Sequence, residues 1–288
     1  RGDWGANYYG AKIEGTFSKY YYNTTTGGWE VTTKDGTKYF YGTTVSSRQD
    51  NVYGVFKWCL DKVQDTNGNY MTVSYTKDQG EIYLDRIDYT GNTAGLNPTN
   101  YVKFYLETRP DVSIMYTSNS EVKTAYKLKT IDVIANGQRV RTYALSYTSS
   151  GSTLQRLLNS VQHYGNDATL DAGGTVTGGT ALPTVSASYL GGADGTFAPR
   201  VGVSNEPVNY TDFSLSTGDF NGDGKTDFMW NYPNGNDHWV YLANDGGTIV
   251  TTVSNGLGAT TTITYEPSSS YTNTLLPFIV QTVSSITV

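Results

Sequence analysis

The feature that most restricts the fold is a repeated pattern of short alternating segments, each closed by a turn signal. Residues 19–22, 29–33 and 38–41 are rich in Tyr, Trp, Val and Thr, and the Asp35-Gly36 pair between the last two reads as a hairpin turn. Residues 58–63 and 70–75 flank a second hairpin around Asp65, Asn67 and Gly68. Residues 83–89, 101–107, 127–133 and 139–147 continue the series, with Gly91-Asn92 and Asn136-Gly137 as turns between them. In residues 139–147, Tyr143, Leu145 and Tyr147 fall on one face and Thr142, Ala144 and Ser146 on the other, the period of a half-buried strand. Strands at this spacing predict an all-β antiparallel meander. Composition agrees: 25 Tyr and 32 Gly against 3 Met favour twisted sheets over helices.

Two stretches are less regular. Leu154, Leu157, Leu158 and Val161 fit a helical stripe, but turn signals at Gly151-Ser152 and Tyr164-Gly165 also bracket a strand beginning near Leu157. A turn leading into a strand is the reading adopted. Residues 165–182 are rich in Gly, Thr and Asp with little apolar content, which predicts a flexible loop. Residues 260–265, 276–280 and 283–287 are strand-like again.

One loop carries a chemical signature. Asp219, Asn221, Asp223 and Asp227 stand at relative positions 1, 3, 5 and 9, with Gly224 at position 6. Alternating oxygen donors on a tight loop suit Ca²⁺, which takes roughly six to eight oxygens at about 2.3–2.6 Å. The four side chains would supply oxygens, Lys225 a backbone carbonyl, and Gly224 the positive φ of the turn. Position 12 is Trp230 rather than the Glu of an EF-hand, and the flanks read as strand, turn, strand. The expectation is a calcium loop inside a β-meander, the other reading being an Asx-rich turn that binds nothing.

Other chemistry is sparse. A net charge of −6 disfavours nucleic acid and anionic membrane surfaces, and no run of apolar residues is long enough to span a bilayer. The single Cys59 excludes an internal disulfide and reads as a small buried residue. His163 and His238 lack any nucleophile signature nearby, and no phosphate-binding glycine loop or Cys/His metal cluster is present. No enzymatic activity is expected, although a pair of carboxylates meeting in space as in glycosidases would leave no sequence trace. Arg1-Gly2-Asp3 at the start resembles neither a signal peptide nor a natural start, so a mature or excised fragment is expected. The glycosylation triplets at Asn23 and Asn209 are of a kind common by chance.

The loop and the aromatic strand after it resemble the FG-GAP/VCBS blade of integrin-like β-propellers, over roughly residues 205–247. One blade cannot close a propeller, so others would lie elsewhere, or this one packs on something else. The ordered series at residues 29–42, 58–69, 83–89, 127–133, 256–265 and 276–278 resembles the amino-terminal region of SpvB-like proteins and insecticidal Tc-toxin B components, relatives of Rhs/YD-repeat proteins. That resemblance implies a β-rich shell with an inserted FG-GAP propeller-type blade, enclosing or presenting a toxin domain. The implied division is a shell-like meander over 1–185, a calcium blade over 186–250 and return strands over 251–288. It implies a secreted, non-catalytic scaffold whose partner is the remainder of a larger polypeptide or toxin complex. A calcium-dependent adhesion or glycan-binding module, using Trp230, Tyr232 and Trp239, is the competing expectation. Sheet packing is the alternative role for those rings.

Overall fold

A computed structural model describes residues 4–150, 154–189, 201–202, 214–218, 220, 226–231, 238–243, 249–272 and 280–288. The strands are β1 (Tyr8–Tyr9), β2 (Lys19–Asn23), β3 (Gly28–Thr32), β4 (Lys38–Tyr41), β5 (Arg48–Asn51), β6 (Gly54–Trp58), β7 (Leu60–Gln64) and β8 (Asn69–Asp78). Next come β9 (Glu81–Asn92), β10 (Asn100–Thr117), β11 (Ser120–Ala135), β12 (Gln138–Ser149), β13 (Arg156–Tyr164), β14 (Thr169–Leu170), β15 (Val176–Gly178) and β16 (Val185–Tyr189). The last are β17 (Val201–Gly202), β18 (Ser214–Gly218), β19 (Asp227–Asn231), β20 (His238–Tyr241), β21 (Val250–Ser254), β22 (Thr260–Pro267) and β23 (Gln281–Thr287). Every described pairing between these strands is antiparallel. The chain divides into two compact units, Arg1–Leu145 with Gln162–Leu182, and Ser146–Val161 with Pro183–Val288.

In the first unit the hydrogen-bonded order is β1-β2-β3-β4-β7-β8-β9-β10-β11-β12, with β5–β6 and β14–β15 as separate hairpins. In the second, β16 pairs with Ser160 and Val161 of β13 and with β21, and β22 and β23 follow. A separate four-stranded sheet runs β17-β20-β19-β18. Residues 156–164 are therefore a strand, with Leu154 in the left-handed region (φ 57°) turning the chain into it.

Few side chains are fully enclosed. Among the described residues six apolar side chains are buried, against ten polar or charged ones. Stability here depends on hydrogen-bonded polar groups as well as apolar area, because each enclosed polar atom must find a partner. Asp61 shows how. A register shift between Phe40↔Lys62 and Tyr41↔Leu60 leaves it as the extra residue of β7. There its Oδ2 accepts from Thr43 N (2.6 Å), Thr44 N (3.0 Å), Thr43 Oγ1 (2.8 Å) and Ser47 Oγ (2.7 Å). The carboxylate thus clasps the loop between β4 and β5. Close by, Tyr75 donates to Leu60 O at 2.7 Å, and burial, helped by Cys59 and Asp61, pushes its phenol up to about 12.

A second buried carboxylate, Asp132 of β11, is 3% exposed. Arg139 of β12 grips it through two bonds, Nε–Oδ1 at 2.8 Å and Nη2–Oδ2 at 3.0 Å. Thr142 Oγ1 donates to the same carboxylate at 2.8 Å, and Arg139 Nη1 donates to Ala168 O at 2.6 Å. That last bond ties the β14–β15 hairpin to the sheet.

Three hairpin turns share one construction. In residues 33–37, 65–69 and 171–175 the first amide donates to the fifth carbonyl, and the glycine at position four donates back to the first carbonyl. Gly36, Gly68 and Gly174 have φ of 86°, 82° and 77°, where an L-residue is strained. This is a type I turn followed by a left-handed glycine, the three-residue hairpin form. Asp35, Asp65 and Asp171 brace these turns, and Thr33 Oγ1, Asn69 Nδ2 and Thr175 N respectively do most to hold their carboxyls below the ordinary value of 3.8. Their contribution is complete above that value and is lost as pH falls through the lowered ones.

The third of these turns corrects an expectation. Residues 165–182 are a hairpin seated on the first unit rather than a flexible loop. Ala168 is 3% exposed, and Lys129 Nζ donates to Gly173 O (3.3 Å) and Thr175 Oγ1 (2.5 Å). Low apolar content misleads here because long-range polar bonds order the segment. Gly174 also lies against a ring: a Cβ there would meet Tyr105 Cγ at 2.1 Å. Gly174→Ala is expected to cost roughly 2–4 kcal/mol in urea unfolding, combining left-handed strain and overpacking. Gly137→Ala has a comparable φ of 74° but open space, and should cost only about 1 kcal/mol. Equal losses would remove the ring from the argument.

Candidate metal-binding loop

Strands β18 and β19 flank the Asp-rich loop. Leu215, Thr217 and Gly218 pair with Trp230, Phe228 and Asp227, and β19 pairs in turn with β20 through Trp230↔Trp239. Aromatic and β-branched residues at these positions suit a pleated surface packed on one side. The Gly218↔Asp227 pair closes the loop.

Asp227 is 0% exposed. Its Oδ2 accepts from Phe220 N at 2.9 Å and its Oδ1 from Ala243 N at 2.7 Å. One carboxylate therefore joins the start of the loop to the second residue after β20. A carboxylate offers about four lone-pair sites, so two backbone bonds leave room for a cation on the same oxygens. Asp219, Asn221, Asp223 and Lys225, the other four expected ligands, lie outside the described residues. Among the described residues no group of three or more His, Cys, Asp or Glu side chains is placed to hold a metal.

The aromatic residues of this sheet divide by burial. Trp239 is 2% exposed and Trp230 is half-buried, so Trp239 packs inside the sheet instead of offering a binding platform. Tyr232 lies outside the described residues. Elsewhere, His163 stacks on Tyr143 with ring centroids 4.8 Å apart and planes at 18°. Cys59 is half-buried, and burial pushes its thiol up, the opposite of an activated thiolate. Sequence reasoning singled out Asp227 for its spacing, but its backbone-bridging bonds were not foreseen. Asp61 and Asp132 were missed as well. Neither carries a local signal, because the partners of Asp61 lie 14 to 18 positions away and those of Asp132 lie 7 and 10 away.

Antiparallel sheets in two units, one with a separate four-stranded sheet, define a large all-β protein. Residues 2–167 match the family described as Salmonella virulence plasmid 65kDa B protein, and the chain belongs to this SpvB family. Residues 190–288 match the family described as insecticide toxin TcdB middle/N-terminal region. No curated protein sequence matches the chain. Among solved structures, a TcdB2-TccC3-Cdc42 complex is similar at 16% identity and TM-score 0.52, over 96% of this chain and 17% of that one. The Photorhabdus luminescens Tc holotoxin pore is similar at 16% identity and TM-score 0.52, over 89% of this chain and 15% of that one. At this identity the likeness shows the fold alone, and the chain spans about a sixth of the length of these solved chains. No helix among the described residues is long and apolar enough to cross a membrane.

Proposed function

We propose that this chain is a non-catalytic wall segment of a secreted, Tc-toxin-like protein with Rhs-type relatives. In this reading it contributes part of a β-shell that encloses or presents a toxin domain carried elsewhere in the same polypeptide or complex. The observation that carries it is the extended antiparallel sheet of the first unit, whose side chains are mostly half-buried on both faces. Only six apolar side chains are buried among the described residues, so these sheets make little core of their own. Globular domains close a core between two packed layers, whereas a wall leaves faces for other parts of an assembly. The solved proteins it resembles are components of TcdB2-TccC3 and holotoxin assemblies, which supports the same role.

Within this wall we read residues 186–250 as an inserted FG-GAP/VCBS-type blade, between shell-like residues 1–185 and 251–288. Asp219, Asn221, Asp223, the Lys225 carbonyl and Asp227 would hold Ca²⁺ and rigidify the loop. The wall reading is tested in the full-length parent by protease digestion of its downstream domain. Protection that is lost when residues 1–288 are deleted supports it, and equally rapid digestion of both proteins refutes it. The metal reading is tested by melting in saturating calcium and in chelator. Binding to the native state alone stabilises by about 2.7 kcal/mol at a hundredfold excess over Kd. The affinity expected is the weak extracellular class, about 10⁻⁴–10⁻³ M. Identical melting in the two buffers would remove calcium from the account.

A further inference from the structure

The first unit's sheet begins with a very short edge. β1 has two residues, held to β2 by the pairs Tyr8↔Tyr21 and Tyr9↔Tyr20, with Tyr22 N donating to Asn7 O at 2.9 Å. So short an edge strand has little to keep it from fraying.

The tyrosines in that pairing are unusually close. The Tyr8 and Tyr21 rings have centroids 4.7 Å apart and planes inclined at 37°, and both are partly exposed. Cross-strand partners hold their Cβ atoms roughly 4.5–5.5 Å apart, so this contact is set by the backbone register. Lys19 Nζ sits 4.3 Å from the centre of the Tyr8 ring, over its face. A second tyrosine–tyrosine ring contact, Tyr83 with Tyr126, is a poor match for coupling. Its rings meet edge-on at 87° and 5.5 Å, Tyr83 is 9% exposed, and its hydroxyl accepts from Ala125 N.

We propose that Tyr8 and Tyr21 form a site of oxidative cross-linking by one-electron oxidants of the peroxidase class, yielding a dityrosine that fixes β1 to β2. Each phenol gives up one electron and its hydroxyl proton to become a phenoxyl radical. The two radicals join through ring carbons ortho to the oxygens, forming one C–C bond. Each ortho carbon then loses its hydrogen as a proton while its oxygen regains one, which restores both aromatic rings. The product is two hydrogens lighter, and one hydrogen peroxide is reduced to two waters. Holding the partners in register favours this coupling over encounters between separate molecules. The consequence is a covalent staple on a two-residue edge strand.

The test is to treat dilute, folded protein with a peroxidase and hydrogen peroxide, then to digest it with trypsin. Cleavage after Lys12 and Lys19 separates the peptide bearing Tyr8 from the one bearing Tyr21 unless the new bond joins them. Fragmentation mass spectrometry is expected to find the joined peptide, two hydrogens lighter, with the bond between Tyr8 and Tyr21. Tyr8→Phe and Tyr21→Phe should abolish it, while Tyr9→Phe should leave it intact. Unfolding in urea before oxidation should reduce its yield about tenfold or more, as the register is lost. A joined peptide that persists in Tyr8→Phe, forms equally in urea, or appears only in covalent dimers overturns the proposal. So does its absence when other tyrosines have coupled.

Discussion

Arg139→Ala is expected to destabilise the protein by roughly 3–5 kcal/mol, the range seen when a buried ion pair loses one partner. The loss comes from what is left behind. Asp132 is 4% exposed at its side chain, and without Arg139 its nearest remaining support is the Thr142 hydroxyl at 2.8 Å. Asp132→Ala should cost less, because Arg139 is 25% exposed and can turn its freed guanidinium to water while still donating to Ala168 O. The asymmetry is the informative part: urea unfolding should rank Arg139→Ala below Asp132→Ala. The reverse order would mean that the guanidinium, not the carboxylate, is the trapped charge. Hydrogen bonding to Asp132 holds the Arg139 guanidinium above its ordinary value. A raised basic group contributes fully below its unfolded value and is lost only as pH rises through the folded one. From Arg139, therefore, no change is expected across the neutral range.

Asp227→Ala is expected to cost roughly 2–4 kcal/mol, with or without calcium. It removes the acceptor of two part-buried backbone amides, Phe220 N and Ala243 N, and each donor left unsatisfied costs about 1–3 kcal/mol. Asp227→Asn keeps one acceptor oxygen but turns an amide donor toward the other N–H, so it should recover only part of the loss. Asp223→Ala provides the contrast. Under the proposed metal reading it abolishes the calcium-dependent rise in melting temperature and leaves melting in chelator near that of the unsubstituted protein. If Asp227→Ala melts like the unsubstituted protein in chelator, its two backbone bonds do not support the fold. If Asp223→Ala keeps the full calcium response, the ion is not held by that loop.

Much of the fold was legible because a strand declares itself locally. The alternation of Tyr143, Leu145 and Tyr147 with Thr142, Ala144 and Ser146 needs no knowledge of distant residues. The same holds for the glycines of residues 33–37 and 65–69, whose left-handed φ is a property of four or five neighbouring residues. Residues 154–164 could be read either as helix or as strand, because a short apolar run has no unique period. The two-residue β1 left no mark that separates it from a loop.

Residues 165–182 show where local reading failed. Their composition suggested freedom, yet Arg139, Lys129 and Tyr105, all distant in sequence, hold them in place. Asp61 failed in the same way: its partners Thr43, Thr44 and Ser47 lie 14 to 18 positions away. Nothing in a one-dimensional pattern distinguishes a solvated carboxylate from one that collects four donors.

What the amino-acid order determined by itself was the all-β class, the Asp-Gly and Asn-Gly turns at residues 33–37, 65–69 and 136–137, and the spacing of the Asp-rich loop. Each of these follows from backbone preference and side-chain period over a few residues. Gly91 and Asn92, expected in a turn, instead end strand β9. Only the tertiary structure decided which carboxylates are enclosed, that Asp227 joins two backbone amides, and that Trp239 faces inward. Burial and hydrogen-bond partnership depend on registers and bulges that bring remote residues together, and no local preference encodes those distances.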